Sequence, residues 1–417
     1  MRSLKTIKHR LYYYFAEKNW GVRREYGPYV DAHQEDHHSH RWKHWWLLIR
    51  LNWHYLRSSK PLLKSQNPAV KPSARPKPGV PFFPKPESEK RNWPKAYHLA
   101  KALLKYDVIS FDIFDTLLLR KLNGPVDLFS IVGNKLNNWD FYSLRRQAER
   151  EVRALRAEQG FSTEITLYDI YDRIALYTGI DPKYGAEVEF GVECDICFAN
   201  PYLHQVYSML KAMGKTVVAT SDMYLPKDKM KELLGICGYE DLDDVLVSCD
   251  YLCNKGDKGL FDILKEKYHD SCIVHIGDNW IHDIVNARSC GIDARHYVAC
   301  RALGDLHRCV GMSPMIQSAY RGIINSTLHS GDRTYSRAWE YGFIYGGLSA
   351  FAYVHWIHEN AIKDGVTKLL FTARDGYIFK KIFDNIYNDI PSEYVYWSRS
   401  AAIRGGLNED RSYRLSH

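Results

Sequence analysis

Aspartates stand where several apolar runs of this chain turn polar. Phe111-Asp112-Ile113-Phe114-Asp115-Thr116-Leu117 closes one run, and Thr220-Ser221-Asp222 closes another. Gly277-Asp278-Asn279 closes a third, with Asp283 four residues beyond Asn279, and Lys255 and Lys258 lie between these groups. Carboxylates, hydroxyls and an ammonium in one set suit attack on an electrophilic phosphorus or carbon. A carboxylate can make that attack itself and form a covalent intermediate. It repels a phosphate, and a divalent cation held by further carboxylates overcomes the repulsion. Taken singly, each of these residues is also what ordinary loops after strands contain.

Rigid elements must hold such a set. DVISFDIFD (107–115), KTVVATSD (215–222), DVLVS (244–248) and CIVHIGD (272–278) read as strands with polar ends. Helical patterns separate them: AYHLAKALLKY precedes the first strand, and residues 122–213 are mostly helical, including YSLRRQAEREVRALRAE. Strands alternating with helices predict an α/β fold with a Rossmann-like, doubly wound parallel sheet. Ligands of that architecture bind at the carboxyl ends of the strands, where the polar set falls.

The order and spacing of these motifs over roughly 105–300 resemble the four motifs of the haloacid dehalogenase (HAD) superfamily. The resemblance implies an HAD-like fold with residues 122–213 as a helical cap inserted after the first strand. It implies Asp112 as nucleophile and metal ligand, with the backbone carbonyl of Phe114 and Asp278 as further ligands of Mg²⁺. Asp283 would support the metal shell or the lysine. Ser221 would donate to phosphoryl oxygens, with Thr220 as its rival. Lys255 would neutralise developing charge and orient Asp112, with Lys258 competing for that role. One position departs from the pattern. HAD phosphatases carry a second Asp two residues after the nucleophile as general acid/base, and here that position is Phe114. Asp115 follows it, but side chains alternate along a strand, so Asp115 is no automatic substitute. General acid/base help is typically worth about 10²–10⁴-fold, so the departure bears directly on phosphatase efficiency.

Composition sets the frame. Of 417 residues, 45% are hydrophobic and 25% charged, which excludes a disordered chain. The net charge of +8 is unevenly spread: residues 1–95 hold 20 Lys and Arg against 7 Asp and Glu, and the rest hold 37 against 42. The basic signal belongs to an N-terminal arm. Within it, HRWKHWWLLIRLNWHYLR (40–57) places Trp42, Trp45, Ile49, Trp53 and Leu56 at helical steps, with Arg41, Lys43, Arg50, His54 and Arg57 around the other sides. Trp beside cations suits an anionic membrane surface, and packing on another domain is the plainer alternative. Nucleic-acid binding is the weakest reading, because no recognition motif accompanies the charge. His33, His37, His38, His40 and His44 cluster nearby and read as a solvated stretch before a metal site. Residues 61–94 contain nine of the sixteen prolines and predict an extended linker or strap.

All nine cysteines lie after residue 190, an odd and scattered set that fits a reducing cytosol. Cys194-x-x-Cys197 is open as helix packing or a redox or zinc half-site. No apolar signal-peptide core follows the basic start, so a cytoplasmic protein is expected, peripheral at the inner membrane face if the arm binds there. Tyr341–Ile357 reads as a buried helix. KLLFTARDGYIF (368–379) and VYWSRSAAIRGG (395–406) read as part of a second, smaller α/β segment, possible partner of an anion through Arg374 and Arg399, unless Arg374 simply pairs with Asp375. The FDIFDTLL, SDMYL, GDN-x-x-x-D and ARDGY segments resemble a group of bacterial HAD-like predicted hydrolases associated with surface-polysaccharide glycosyltransferases. The expected organisation is an arm (1–60), a Pro-rich linker (61–95), an HAD-like core with its cap (96–300) and a C-terminal α/β segment (301–417) that the resemblance suggests is incomplete. The expected function is Mg²⁺-dependent hydrolysis of a phosphorylated small molecule or glycan. The alternative is a weakly or non-catalytic module binding a phosphorylated or lipid-linked glycan, or a glycosyltransferase, at the membrane.

Overall fold

The computed structural model describes residues 15–16, 19, 22, 25–26, 29, 41–57, 86–90, 93–305, 308–309 and 311–397. They divide into two compact units, 1–334 and 335–417.

The first unit is built on β1 (Val108–Phe111), β4 (Thr216–Ser221), β5 (Asp244–Val247), β6 (Ile273–Gly277) and β7 (Asp293–His296). They form one sheet in the order β5-β4-β1-β6-β7, with every pairing parallel. Alternation along the strands serves two cores, as a sheet covered on both faces requires. Ile109, Phe111, Val217, Ala219, Val245 and Val247 join α2 (Ala96–Leu103) and α7 (Pro201–Ala212) on one face. Val108, Val218, Leu246 and Ile273 meet α9 (Gly259–Lys267) on the other. The architecture is the expected doubly wound α/β sheet. Strand β7 was not among the expected strands: its burial alternates weakly, and Asp293 opens it exposed.

Between β1 and β4 the chain makes a short antiparallel hairpin of β2 (Leu118–Arg120) and β3 (Cys197–Ala199). Four helices grow from it: α3 (Leu128–Lys135), α4 (Phe141–Glu158), α5 (Leu167–Thr178) and α6 (Pro182–Ile196). At their centre Arg145 is fully buried. It donates to both oxygens of Glu189 at 2.8 and 2.9 Å and to Glu149 at 3.0 Å, while the Tyr171 hydroxyl donates to Glu189 at 2.9 Å. A buried cation with that many acceptors fixes the helices relative to one another. The helical insertion thus spans about 128–196, shorter than the 122–213 read from the sequence. Helix α7 leaves it, because Tyr202, Leu203, Val206 and Leu210 are buried in the sheet's own core.

The boundary expected at 301 lies at 335. Helix α10 (Pro314–His329) belongs to the first unit: Gly322 crosses so close to the chain at Leu122 that a Cβ would sit 2.5 Å from its carbonyl carbon. Asn123 N–H donates to the Ser318 carbonyl at 3.0 Å, and Tyr297 donates to the Ser330 carbonyl at 2.9 Å. The end of the proline-rich segment lies on this unit as a strap. Arg308 donates to both oxygens of Glu87 at 2.9 Å, and Trp93 packs against Tyr202 and Tyr297.

In the arm, α1 (Arg41–Tyr55) is the expected helix, and Leu48 and Leu51 pack with Ala16, Val22 and Tyr26 in a small separate core. His44 is buried beside Tyr29; His33, His37, His38 and His40 lie outside the described residues. The second unit contains α11 (Leu348–Lys363), β8 (Leu369–Thr372), α12 (Gly376–Ile386) and β9 (Ser392–Val395), with β8 and β9 parallel. Its core is Val354, Ala361, Phe371, Phe383 and Ile390. The reading of 341–357 as a buried helix fails: Tyr341, Tyr345, Phe351, Tyr353 and Trp356 are exposed. No helix among the described residues is long and apolar enough to cross a membrane.

Candidate active site

The carboxyl ends of β1, β4 and β6 meet, and the loop before α9 reaches over them. Asp112 follows β1 directly, its N–H donating to the Ile276 carbonyl at 2.8 Å. Lys255 comes from the loop after β5. Its ammonium donates to Asp112 Oδ1 and to Asp283 Oδ1, both at 2.5 Å, in a buried triad. The lysine is held by its own backbone: its N–H donates to Asp222 Oδ1 at 2.8 Å, and its carbonyl accepts from Asn286 at 2.9 Å. Lys258 is exposed at the start of α9 with φ 76°, so the structure brings Lys255 and not Lys258 to the aspartates.

Asp283 is used on both oxygens. Oδ1 accepts from the Lys255 ammonium, and Oδ2 accepts from the Asn279 N–H at 2.8 Å. It orients the lysine. Gly277 makes room for it: a Cβ there would lie 2.4 Å from the Asp283 carboxyl carbon. Beneath lies a chain of groups in which Thr220 was named from the sequence and Ser110 and His275 were missed. Thr220 Oγ1 is 3.0 Å from Ser110 Oγ, which is 2.8 Å from His275 Nδ1, and His275 Nε2 is 3.3 Å from Asp283 Oδ1. A histidine inside the apolar strand CIVHIG was the available signal, since a buried imidazole needs partners. Thr220 is thereby committed on the α9 side of the sheet, with Val218. Ser221 shares the face of Val217 and Ala219, and its hydroxyl has no partner among the described residues.

Electrostatics follow from burial and crowding. Burial pushes the Asp112 carboxyl up to about 7 against the pull of Lys255, with Asp283 adding repulsion. Burial raises Asp278 well above the usual range, and Asp115 and Asp112 raise it further. Burial opposes ionisation of Asp283 too, but Lys255 and His275 outweigh it and hold that carboxyl below its ordinary value. Lys255 is raised: burial works against its charge, and Asp112 and Asp283 win.

Carboxylate oxygens of Asp112, Asp278 and Asp283 come within 4.8 Å of one another. The Lys255 ammonium pairs with Asp112 and Asp283, and Asp278 has the pull of Arg301 against the repulsion of Asp115, Asp112 and Asp283, so the set is short of positive charge. All-oxygen donors with excess negative charge fit a hard divalent cation of the Mg²⁺ type.

Phe114 brings no acid to the site. The Arg120 guanidinium lies 4.1 Å over its ring, and Arg120 donates to Glu193 at 2.6 Å from beneath the helical insertion. Asp115 adopts φ 58°, and its carboxylate pairs with Arg301 at 3.1 Å. A second missed residue is Glu164, in the loop between α4 and α5. It accepts from Ser248 at 2.6 Å and from Asn254 at 2.9 Å, tying the insertion to the loop that carries Lys255. Nothing in the local sequence marks it.

Outside this site, Arg374 is exposed in the turn before α12 and makes no ion pair with Asp375 among the described residues. Arg399 lies outside them. Burial raises the Cys194 thiol to about 11 and the Cys197 thiol well above its ordinary value, and Cys197 donates to Glu193 at 3.2 Å. Both are packed thiols, neither poised as a thiolate.

No family model and no curated protein matches the chain. Several solved structures are similar. L-2-haloacid dehalogenase from Xanthobacter autotrophicus is 15% identical over 46% of this chain and 76% of its own, with a TM-score of 0.33. The 2-haloacid dehalogenase from Pseudomonas syringae pv. Tomato DC3000 is 19% identical over 46% and 86%, with a TM-score of 0.35. A hydrolase from Streptococcus pneumoniae TIGR4 is 17% identical over 47% and 95%, with a TM-score of 0.29. At such identities and TM-scores the function has to rest on the geometry of the site.

Proposed function

We propose that the chain is an HAD-like hydrolase in which Asp112 is the nucleophile toward a phosphoryl group of a small molecule or glycan. The observation that carries this reading is the buried Lys255 bridge between Asp112 and Asp283, with Asp278 beside it at the carboxyl ends of parallel strands. A carboxylate in that place is oriented and partly charge-balanced, as a nucleophile must be. Asp112, Asp278 and the Phe114 carbonyl would hold Mg²⁺, with Asp283 behind the lysine. The ion would offset the repulsion between nucleophile and phosphate.

In the proposed reaction an Asp112 oxygen forms a bond to phosphorus, and the bond from phosphorus to the leaving oxygen breaks. Lys255 stays on Asp112 and steadies the charge passing through it. Ser221 donates to a phosphoryl oxygen. Water then attacks the aspartyl phosphate and releases phosphate, restoring Asp112. The leaving alkoxide draws its proton from water, because Phe114 has none to give. A role in surface-polysaccharide assembly, with a glycosyltransferase as partner in the cytoplasm, is supported by the FDIFDTLL, SDMYL and ARDGY resemblance.

Phe114 under Arg120 favours a second reading, a phosphoryl-binding module with little turnover. One comparison separates the two. Wild type and Asp112→Asn are assayed on aryl phosphates and sugar phosphates with Mg²⁺, and beryllofluoride binding is measured for both. Turnover lost in the variant supports the hydrolase. Beryllofluoride binding at Asp112 without turnover supports the binding module. Neither signal would sink both.

A further inference from the structure

The arm helix α1 has two apolar faces. With about 3.6 residues per turn, Leu47, His44, Leu48, Leu51 and Tyr55 share one side. There Leu48, Leu51 and His44 are buried and Leu47 and Tyr55 pack against the same small core. That side alone accounts for the helix as a structural element. At the same pitch, Trp42, Trp45, Trp46, Ile49, Trp53 and the following Leu56 fall in an opposite arc of about 100°. All six are exposed: Trp42 by 67%, Trp46 by 60%, Trp53 by 59% and Leu56 by 81%. The first four of the arc line a shallow apolar surface groove. A helix already anchored by one face has no folding reason to display four indoles on the other.

Cations flank the arc. Arg50 and Arg57 are exposed beside it, and the Arg57 guanidinium lies 3.8 Å over the Trp53 ring. No acid stands in the first turn of the helix, and the arm is strongly basic, with 20 Lys and Arg against 7 Asp and Glu in residues 1–95. The helix is 15 residues long, too short and too charged to span a bilayer.

We propose that the exposed Trp face of α1 docks on an anionic lipid bilayer surface. The helix would lie in the plane of the interface with the indoles at headgroup depth and Arg50 and Arg57 among the lipid phosphates. An acidic protein would satisfy the cations but gives no reason for four exposed indoles on a single arc. A second copy of this chain would repel through the same cations. The bilayer meets both requirements at once.

The full chain is tested by flotation with vesicles of phosphatidylcholine alone and with about one-third phosphatidylglycerol. Flotation is expected with the anionic vesicles and should weaken with salt. The triple substitution Trp42→Ser, Trp46→Ser, Trp53→Ser should reduce partitioning by about tenfold or more. Arg50→Gln with Arg57→Gln, which leaves every apolar side chain in place, should reduce it by a similar factor on anionic vesicles only. No flotation of the unaltered chain, flotation of either variant on anionic vesicles equal to that of the unaltered chain, or a Trp-dependent dimer in light scattering without flotation would each overturn the proposal.

Discussion

Replacing Lys255 by Met tests the central arrangement most directly. The ammonium bridges Asp112 and Asp283 at 2.5 Å each, and all three side chains are buried. Met keeps the length of the stem and removes the charge. Breaking a buried ion pair from one side typically costs about 3–5 kcal/mol, because the remaining charge is stranded. The pH dependence is more telling. In the folded protein Asp112 is raised from 3.8 to about 7. A carboxyl raised on folding costs nothing below its unfolded value, where it is protonated in both states. Its cost grows as pH climbs from there through its folded value. Without Lys255 the opposing pull is gone, so Asp112 rises further and Asp283 loses its main stabiliser. Urea unfolding of wild type and Lys255→Met should therefore differ by about 3–5 kcal/mol near pH 4.5, where Asp283 is still ionised and loses its partner, and by more near pH 8, where Asp112 is ionised as well. Added Mg²⁺ should recover part of the loss at the higher pH. A cost that is the same at both pH values, or absent at the higher one, would refute the view that the lysine balances these carboxylates.

Three further outcomes are expected. Phe114→Asp should raise turnover of alkyl phosphates by up to about 10²-fold, and of aryl phosphates much less, since an aryloxide needs little protonation; kcat on paired substrates reads this. Gly277→Ala should destabilise the first unit by about 1–3 kcal/mol, because its Cβ would meet the Asp283 carboxylate at 2.4 Å; urea unfolding measures it. Mg²⁺ should bind more tightly as pH rises through about 7, where Asp112 gives up its proton. Calorimetry in buffers of different ionisation heat should then show proton release at about pH 6, where Asp112 and the raised Asp278 carboxyl must both give way to the ion.

The parts of the site legible in the sequence were those written as local punctuation. Asp112, Ser221 and Asp278 each end an apolar run, and a parallel sheet brings such ends together whatever their separation in the chain. Between Lys255 and Lys258 the local sequence offers no distinction, and the fold places Lys255 at the aspartates while leaving Lys258 exposed with φ 76°. Thr220 and Ser221 are separated by the pleat, which sends neighbouring side chains to opposite faces. What stayed hidden depends on contacts between distant segments. Glu164 meets Ser248 and Asn254 across more than 80 residues. Helix α10 belongs with the first unit because Gly322 lets it touch the hairpin, a fact of shape that periodicity does not record.

Glu164 also couples the helical insertion to the segment that presents Lys255. It belongs to the insertion, while Ser248 and Asn254 belong to the segment leading into Lys255. An insertion that swings away to admit a ligand must release both partners, and with them the outer tether of the segment that presents the ammonium. Any displacement of the insertion is therefore felt by the lysine, because one carboxylate is a hinge pin common to both.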